Sequence, residues 1–341
     1  MKFNVKALMG ATALAMISAT SAYAEEHAAS VCLITKNNTN PFFVKMKEGA
    51  EAKATELGMG FQAFAGEKDG DAAPQITAIE NCVAAGAKGI LITPSNDSVG
   101  PALKAARDAG ILVIALDTPL ADKDAQDITF ATDNFEAGLL IGKWALATMG
   151  DKAATAKIAM LDINKDNISV DVARDTGFLT GFGIEVPDLK VMGSETDPRV
   201  IGHESSDASP AGGQKAMETL LAKDPDINVV YTINEPAAEG AYAALKAAGK
   251  ENQAIIVSVD GGCPGVASVK SGVIGATSQQ YPLLMASKGI EAIVAFAKDG
   301  TKPTVTEGLS FYNTGVNLVT DKPAEGVPSL DTTKGTELCW G

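Results

Sequence analysis

The run Ser30-Val31-Cys32-Leu33-Ile34-Thr35, followed a few residues later by Asn40-Pro41-Phe42-Phe43, decides how the rest of the chain is read. An apolar segment that ends in polar residues and then opens an amphipathic run over 43–57 spells strand, tight turn, helix. Asn40 suits the N-cap because its side chain accepts an orphan backbone amide, and Pro41 suits the first helical position because it has no amide to leave unpaired. In an open parallel α/β sheet, ligands bind outside the carboxyl ends of the strands. The turn therefore sets Phe42 and Phe43, two flat apolar faces, beside hydrogen-bonding groups at a candidate site.

Outward from this turn the same alternation repeats. Strands are expected over 60–65, 89–93, 111–116 and 128–131. Helices are expected over 74–85, where Ile76, Ile79 and Val83 recur at helical spacing, over 99–109, and from Phe135 to Met149. The pattern then restarts, with strands over 157–161, 189–192, 228–233, 254–259 and 272–277. The helices of this second series cover 170–182, 211–222, 235–248 and 282–297. Residues 303–320 read as irregular chain with one or two short strands. Continuously apolar strands alternating with helices mean parallel sheets covered on both faces.

Size supports two such units. Removing residues 1–24 from 341 leaves about 317, more than one core organises, since cores stop growing near ~250–300 residues. The expected fold class is α/β: two doubly wound parallel-sheet lobes joined by a three-crossing hinge. The N-terminal lobe takes 25–132 plus 281–312, and the C-terminal lobe takes 133–280 plus 313–341. Hinge candidates are 131–134, the neighbourhood of 280–281, and 312–315.

Residues 1–24 read as a secretory signal peptide: Lys2 and Lys6, an apolar run over 7–19, and Ala22-Tyr23-Ala24 as a small-x-small cleavage site. The run is shorter than the ~20 residues of a membrane span, and no cysteine lies at the cut for a lipid anchor. A soluble, periplasmic, monomeric protein is expected. Losing the two lysines moves the formal charge from −14 to −16, which repels phosphate backbones and argues against nucleic acid as a partner. His27 and His203 are the only histidines, so histidine catalysis and a multi-histidine metal site are poorly supplied. No cofactor and no metal are expected.

The cysteines form an even set, Cys32, Cys82, Cys263 and Cys339, in an oxidising compartment. With strand order 2-1-3, the second helix crosses over the first strand, which brings Cys82 to Cys32. The second expected bridge, Cys263–Cys339, ties down the tail. The alternative is four buried free thiols.

Past the strand ends stand Asn40, Asp117, Asn234, Asp260 and Gln280, with Arg174 in the second lobe. An ionised carboxylate only accepts hydrogen bonds, a guanidinium only donates, and Asn and Gln do both. Such a set suits a polyol, whose every hydroxyl needs a donor and an acceptor, while Phe42 and Phe43 cover the C–H face of a ring. Each residue also has a plainer role: Asn40 and Asn234 as helix caps, Asp117 and Asp260 as turn residues, Arg174 as a partner of Asp171 or Asp175, the two phenylalanines as core. Asp162, Lys36 and Lys68 are read as structural.

In their order along the chain, Asn40-Pro41-Phe42-Phe43, Gly89-Ile90-Leu91-Ile92-Thr93-Pro94, Val113-Ile114-Ala115-Leu116-Asp117-Thr118, Ala173-Arg174-Asp175-Thr176-Gly177, Ile233-Asn234-Glu235 and Val259-Asp260-Gly261 resemble the ribose/galactose-type periplasmic binding proteins of ABC importers. Ser278-Gln279-Gln280-Tyr281-Pro282, Gly261-Gly262-Cys263-Pro264-Gly265 and Cys339-Trp340-Gly341 are similar to the fructose-binding branch. The resemblance implies that Asn40, Asp117, Arg174, Asn234, Asp260 and Gln280 hydrogen-bond a monosaccharide, that Phe42 and Phe43 stack on it, and that an inner-membrane permease is the partner. Thr118 stands where ribose binders carry a second arginine, Ala208 falls near a phenylalanine, and Val259 replaces another aromatic. These departures point from ribose toward a ketohexose such as D-fructose. A glycosidase using Asp117 and Asp260 as acid and base is the enzymatic rival; no other catalytic signature accompanies it, and a binding protein is expected.

Overall fold

The computed structural model describes residue 1 and residues 29–341. Apart from Met1, the expected signal peptide lies outside the described residues, as does His27. Two six-stranded sheets organise the chain. The first has the order β11-β5-β4-β3-β1-β2 and the second the order β12-β10-β9-β8-β6-β7.

The first series runs β1 (Ser30–Thr35), α1 (Pro41–Glu56), β2 (Gly60–Ala65), α2 (Ala73–Ala84), β3 (Gly89–Ile92), α3 (Gly100–Asp108), β4 (Leu112–Leu116) and β5 (Ile128–Ala131). The second runs α4 (Asn134–Met149), β6 (Ile158–Asp162), α5 (Ser169–Gly181), β7 (Val200–Ser205), α6 (Pro210–Lys223), β8 (Val229–Thr232), α7 (Glu235–Ala247), β9 (Ile255–Asp260), α8 (Cys263–Ser271) and β10 (Ala276–Gln279). Then come α9 (Pro282–Asp299), β11 (Tyr312–Asn313), β12 (Asn317–Val319) and α10 (Thr332–Leu338). β11 joins the first sheet beside β5 and β12 the second beside β10, antiparallel. The chain therefore passes between the sheets three times: after β5, after β10, and between β11 and β12.

The central strands are buried on both faces because helices cover each sheet twice. One face of the first sheet packs Leu33, Leu91 and Ile114 against Met46 of α1 and Ile290 of α9, and the other packs Ile34, Ile92 and Val113 against Ile79 and Leu103. The second sheet repeats the scheme around Met160, Tyr231 and Val257 on one face and Leu161, Val230 and Ile256 on the other. Strand order 2-1-3 does bring Cys82 of α2 to Cys32 of β1, and both expected disulfides, Cys32–Cys82 and Cys263–Cys339, are present.

One expected strand is misplaced. Residues 189–192 form turns, not a strand: Asp188 caps the backbone amide of Lys190, and Leu189 and Val191 are exposed. The strand is instead β7, at the edge of its sheet and half-exposed along its whole length, which is why only Val200 and Ile201 are apolar and Gly202, His203, Glu204 and Ser205 follow instead of a continuous apolar run.

Helices α4 and α5 cross at close range. A Cβ on Gly138 would collide with the backbone carbonyl of Arg174, and one on Gly142 with that of Phe178. The glycines let α5 lie against α4, and that approach fixes where Arg174 emerges.

Candidate functional site

The loops at the carboxyl ends of both sheets face one another. Between them lies a narrow cavity, lined by Asn40, Phe42, Phe43 and Asp117 from the first lobe and by Arg174, Asn234, Asp260 and Gln280 from the second. All eight expected residues converge there. The cavity's enclosed room is only about 40 Å³, well below the ~300–1,000 Å³ typical of ligand pockets, so these side chains stand close together around the gap.

Asn40 and Asn234 both cap helices, as their plainer reading had it: Asn40 accepts the amide of Phe42 at 3.0 Å and Asn234 that of Ala237 at 3.1 Å. A cap uses only the side-chain oxygen. Among the described residues the Asn40 amide group has no acceptor and can donate, whereas that of Asn234 gives one hydrogen to the Ala208 carbonyl.

Asp117 and Asp260 follow directly on β4 and end β9, with φ of 64° and 138°. Such backbone angles are costly for non-glycine residues and persist where the surroundings enforce them. Here they turn two carboxylates off the strand ends. Thr118 donates to Asp117 at 2.8 Å, so the residue standing where an arginine was expected from the ribose pattern fixes the neighbouring carboxylate.

Asp260 accepts from the Gln280 amide at 2.7 Å and lies 3.9 Å from the Arg174 guanidinium. Arg174 is occupied by Asn134, to which its Nε donates at 2.8 Å, and by the Ile233 carbonyl at 3.1 Å; among the described residues it forms an ion pair with neither Asp171 nor Asp175. Burial pushes the Asp260 carboxyl up to about 6 and the charge of Asp117 adds to this, while Arg174 and Gln280 pull the other way. Gln280 also accepts from Thr132, at the end of the first lobe's last β-α series, at 3.2 Å. A chain of bonds thus runs from one lobe through the crossing segments to the acid of the other.

Several residues escaped the sequence reading. Lys36, expected to be structural, lines the cavity with its ammonium 6.0 Å from the centre of the Phe43 ring. Trp340 meets Phe42 edge to face with ring centres 5.5 Å apart and donates its indole N–H to the Gln280 carbonyl at 2.7 Å. The tail that carries it is fastened to the second lobe by Cys263–Cys339 and by the Cys263 amide bonded to the Trp340 carbonyl. Trp340 therefore spans the two lobes beside the cavity.

Glu235 lies behind Asp260. Its carboxylate accepts from the amides of Gly261 and Gly262 and from the Thr277 hydroxyl. Burial, and then the charge of Asp260, push it up to about 8 against those three donors. It holds the loop after β9 in place.

The periplasmic binding protein domain family matches residues 31–302. A ribose import binding protein of Haemophilus influenzae is 31% identical over 84% of this chain and 91% of its own length. The D-allose-binding periplasmic protein of Escherichia coli is 27% identical over 85% of this chain and 90% of its own. Among solved structures, an ABC transporter periplasmic solute binding protein from Actinobacillus succinogenes with bound D-allose superposes with a TM-score of 0.74 at 22% identity, covering 91% of this chain and 99% of that one. Its relatives are solute-binding proteins rather than enzymes. Two like lobes with their strand ends around one cavity and a family match spanning both give the same answer: this chain belongs to the periplasmic binding protein domain family.

Proposed function

We propose that the protein is the periplasmic binding component of an ABC importer and that it carries a single monosaccharide, with D-fructose the first candidate, to an inner-membrane permease. The observation that carries this reading is the pairing of Asp117 from one lobe and Asp260 from the other around one cleft between the lobes, with Arg174, Asn40 and Gln280 supplying donors. Charge-assisted hydrogen bonds are roughly twice as strong as neutral ones, so such a set offsets the desolvation of a small polyol. The curated relatives named for ribose and D-allose support the substrate class. Thr118, Ala208 and Val259, which depart from the ribose pattern, favour a ketohexose over ribose.

The ligand closes the hinge only through its differential affinity for the closed form, which requires contacts from both lobes. The moving bodies are 25–132 plus 281–312 and 133–280 plus 313–341, with Thr132, Gln280 and the segment from Tyr312 to Gly315 at the crossings. The mature protein starts at Glu25 and acts as a monomer in the periplasm.

A thermal-shift panel of D-fructose, D-ribose, D-allose, D-xylose and D-galactose tests this. One sugar at a thousand times its dissociation constant stabilises by about 4.1 kcal/mol. A shift with D-fructose alone supports the full reading, a shift with another monosaccharide replaces the sugar, and no shift with any, followed by silent calorimetry, removes the proposal.

A further inference from the structure

Behind Arg174, away from the cavity, lies a second group of titratable side chains. Asp162 ends β6, Asp171 and Asp175 stand one turn apart on α5, Glu195 precedes β7, and His203 lies within β7. His203 is the only described histidine. Its Nδ1 is 2.8 Å from an oxygen of Asp162 and 3.4 Å from one of Asp175, and its Nε2 is 2.8 Å from Glu195. Asp171 and Asp175 are fully buried.

The hydrogen bonding of this group is incomplete. Among the described residues, neither oxygen of Asp175 accepts a hydrogen bond, nor does one oxygen each of Asp162, Asp171 and Glu195. Independently of the acids, the Tyr231 hydroxyl, wholly buried on the neighbouring strand β8, also has no partner among the described residues. Buried charges occur paired or on metals. Three carboxylates against one imidazole, with Asp171 one turn away on α5, exceed what a single imidazolium pairs.

The spacing fits a metal. Two bonds of ~2.0–2.1 Å meeting at ~90–109° place their donor atoms ~2.9–3.4 Å apart, and the two Nδ1 distances, 2.8 and 3.4 Å, bracket that interval. One ligand atom each from Asp162, Asp175 and His203 lie within 4.8 Å of one another. Glu195 on Nε2 is the outer carboxylate that orients a metal-bound imidazole. An imidazole with carboxylates selects a Zn²⁺-like ion over Ca²⁺, whose sites take 6–8 oxygens at longer range.

We infer that Asp162, Asp175 and Nδ1 of His203 hold one divalent transition-metal ion of the Zn²⁺ class, oriented by Glu195. The ion fastens β6, α5 and β7 to one another and so steadies Arg174, the neighbour of Asp175 in the chain. Nothing in this depends on which sugar, if any, the cavity takes.

The test uses the purified chain stripped with a chelator and desalted, with Zn²⁺ alone as the probe. Calorimetry should give one equivalent per chain and the melting temperature should rise by several degrees, with no rise for Ca²⁺. Asp175→Asn removes a ligand and a buried charge together: without metal it should melt no lower than the wild type, and with Zn²⁺ it should gain nothing. His203→Gln, should Asp175→Asn not fold, is expected to lose the response in the same way. An unresponsive wild type, stable with a protonated His203 alone, overturns the inference, and so does an equal Zn²⁺ response in either variant.

Discussion

Replacing Asp260 by Asn changes one charge and almost no volume, and it should move sugar affinity and ligand-free stability in opposite directions. The carboxylate is buried, bonded to Gln280 at 2.7 Å and 3.9 Å from Arg174. Hydrogen bonds to charged groups contribute ~1.5–3 kcal/mol, which at 1.4 kcal/mol per tenfold is a ~10–150-fold loss of affinity. Without sugar the same charge is a burden. A carboxyl displaced from its ordinary 3.8 to about 6 represents about 3 kcal/mol at neutral pH, and an amide, which mimics the protonated acid and still accepts from Gln280, relieves up to that amount. The assays are calorimetric titration at pH 7.5 with the sugar found by the panel, and denaturant unfolding of ligand-free protein. Unchanged affinity in the variant would refute the reasoning at once. A loss of affinity together with a loss of ligand-free stability would show that Asp260 serves the fold and that the affinity change is secondary.

Three further outcomes follow from the same geometry. Trp340→Ala removes an edge-to-face pair worth ~0.5–1.5 kcal/mol beyond its buried area and the bond to the Gln280 carbonyl, so unfolding by denaturant should show a loss of ~3–5 kcal/mol and calorimetry roughly tenfold weaker binding; full affinity would deny Trp340 any part in joining the lobes. Glu235 carries its proton in the folded chain up to about 8 but loses it near 4.5 when unfolded, so its contribution is fully present below the unfolded value and is lost as pH rises through the folded one. Between pH 5 and 8 that is about 1.4 kcal/mol per pH unit, and Glu235→Gln should flatten the slope of melting temperature against pH. Denatured, unreduced protein should show no reactive thiol. Reduction should then cost about 4 kcal/mol for the loop closed by Cys32–Cys82, with its sequence separation of 50.

What was legible before the structure divides by physical cause. Strands such as Leu33-Ile34, Val113-Ile114 and Val229-Val230 announce themselves because burial on both faces leaves an unbroken apolar run, and the residues following them, Asn40, Asp117 and Asn234, are then placed at the carboxyl edges of their two sheets by topology alone. Cys32–Cys82 follows from the same topology. The expected strand at 189–192 falls about ten residues before β7 because an edge strand is half-exposed and carries Gly202, His203 and Glu204 where an inner strand would be apolar. Glu235 and Trp340 were illegible for another reason: their partners, Gly261, Thr277, Phe42 and Gln280, are distant in sequence, and only the packed chain brings them together. The same holds for His203, whose neighbours come from β6, α5 and the loop at Glu195.

The central claim is that groups from both lobes grip one polyhydroxylated ring. A crystal structure of the protein with its best-binding sugar tests it most directly. The account predicts ring hydroxyls at ~2.5–2.7 Å from the carboxylates of both Asp117 and Asp260, with Phe42 or Phe43 against the C–H face. A sugar held by one lobe only, or seated outside the space between these two acids, would contradict it.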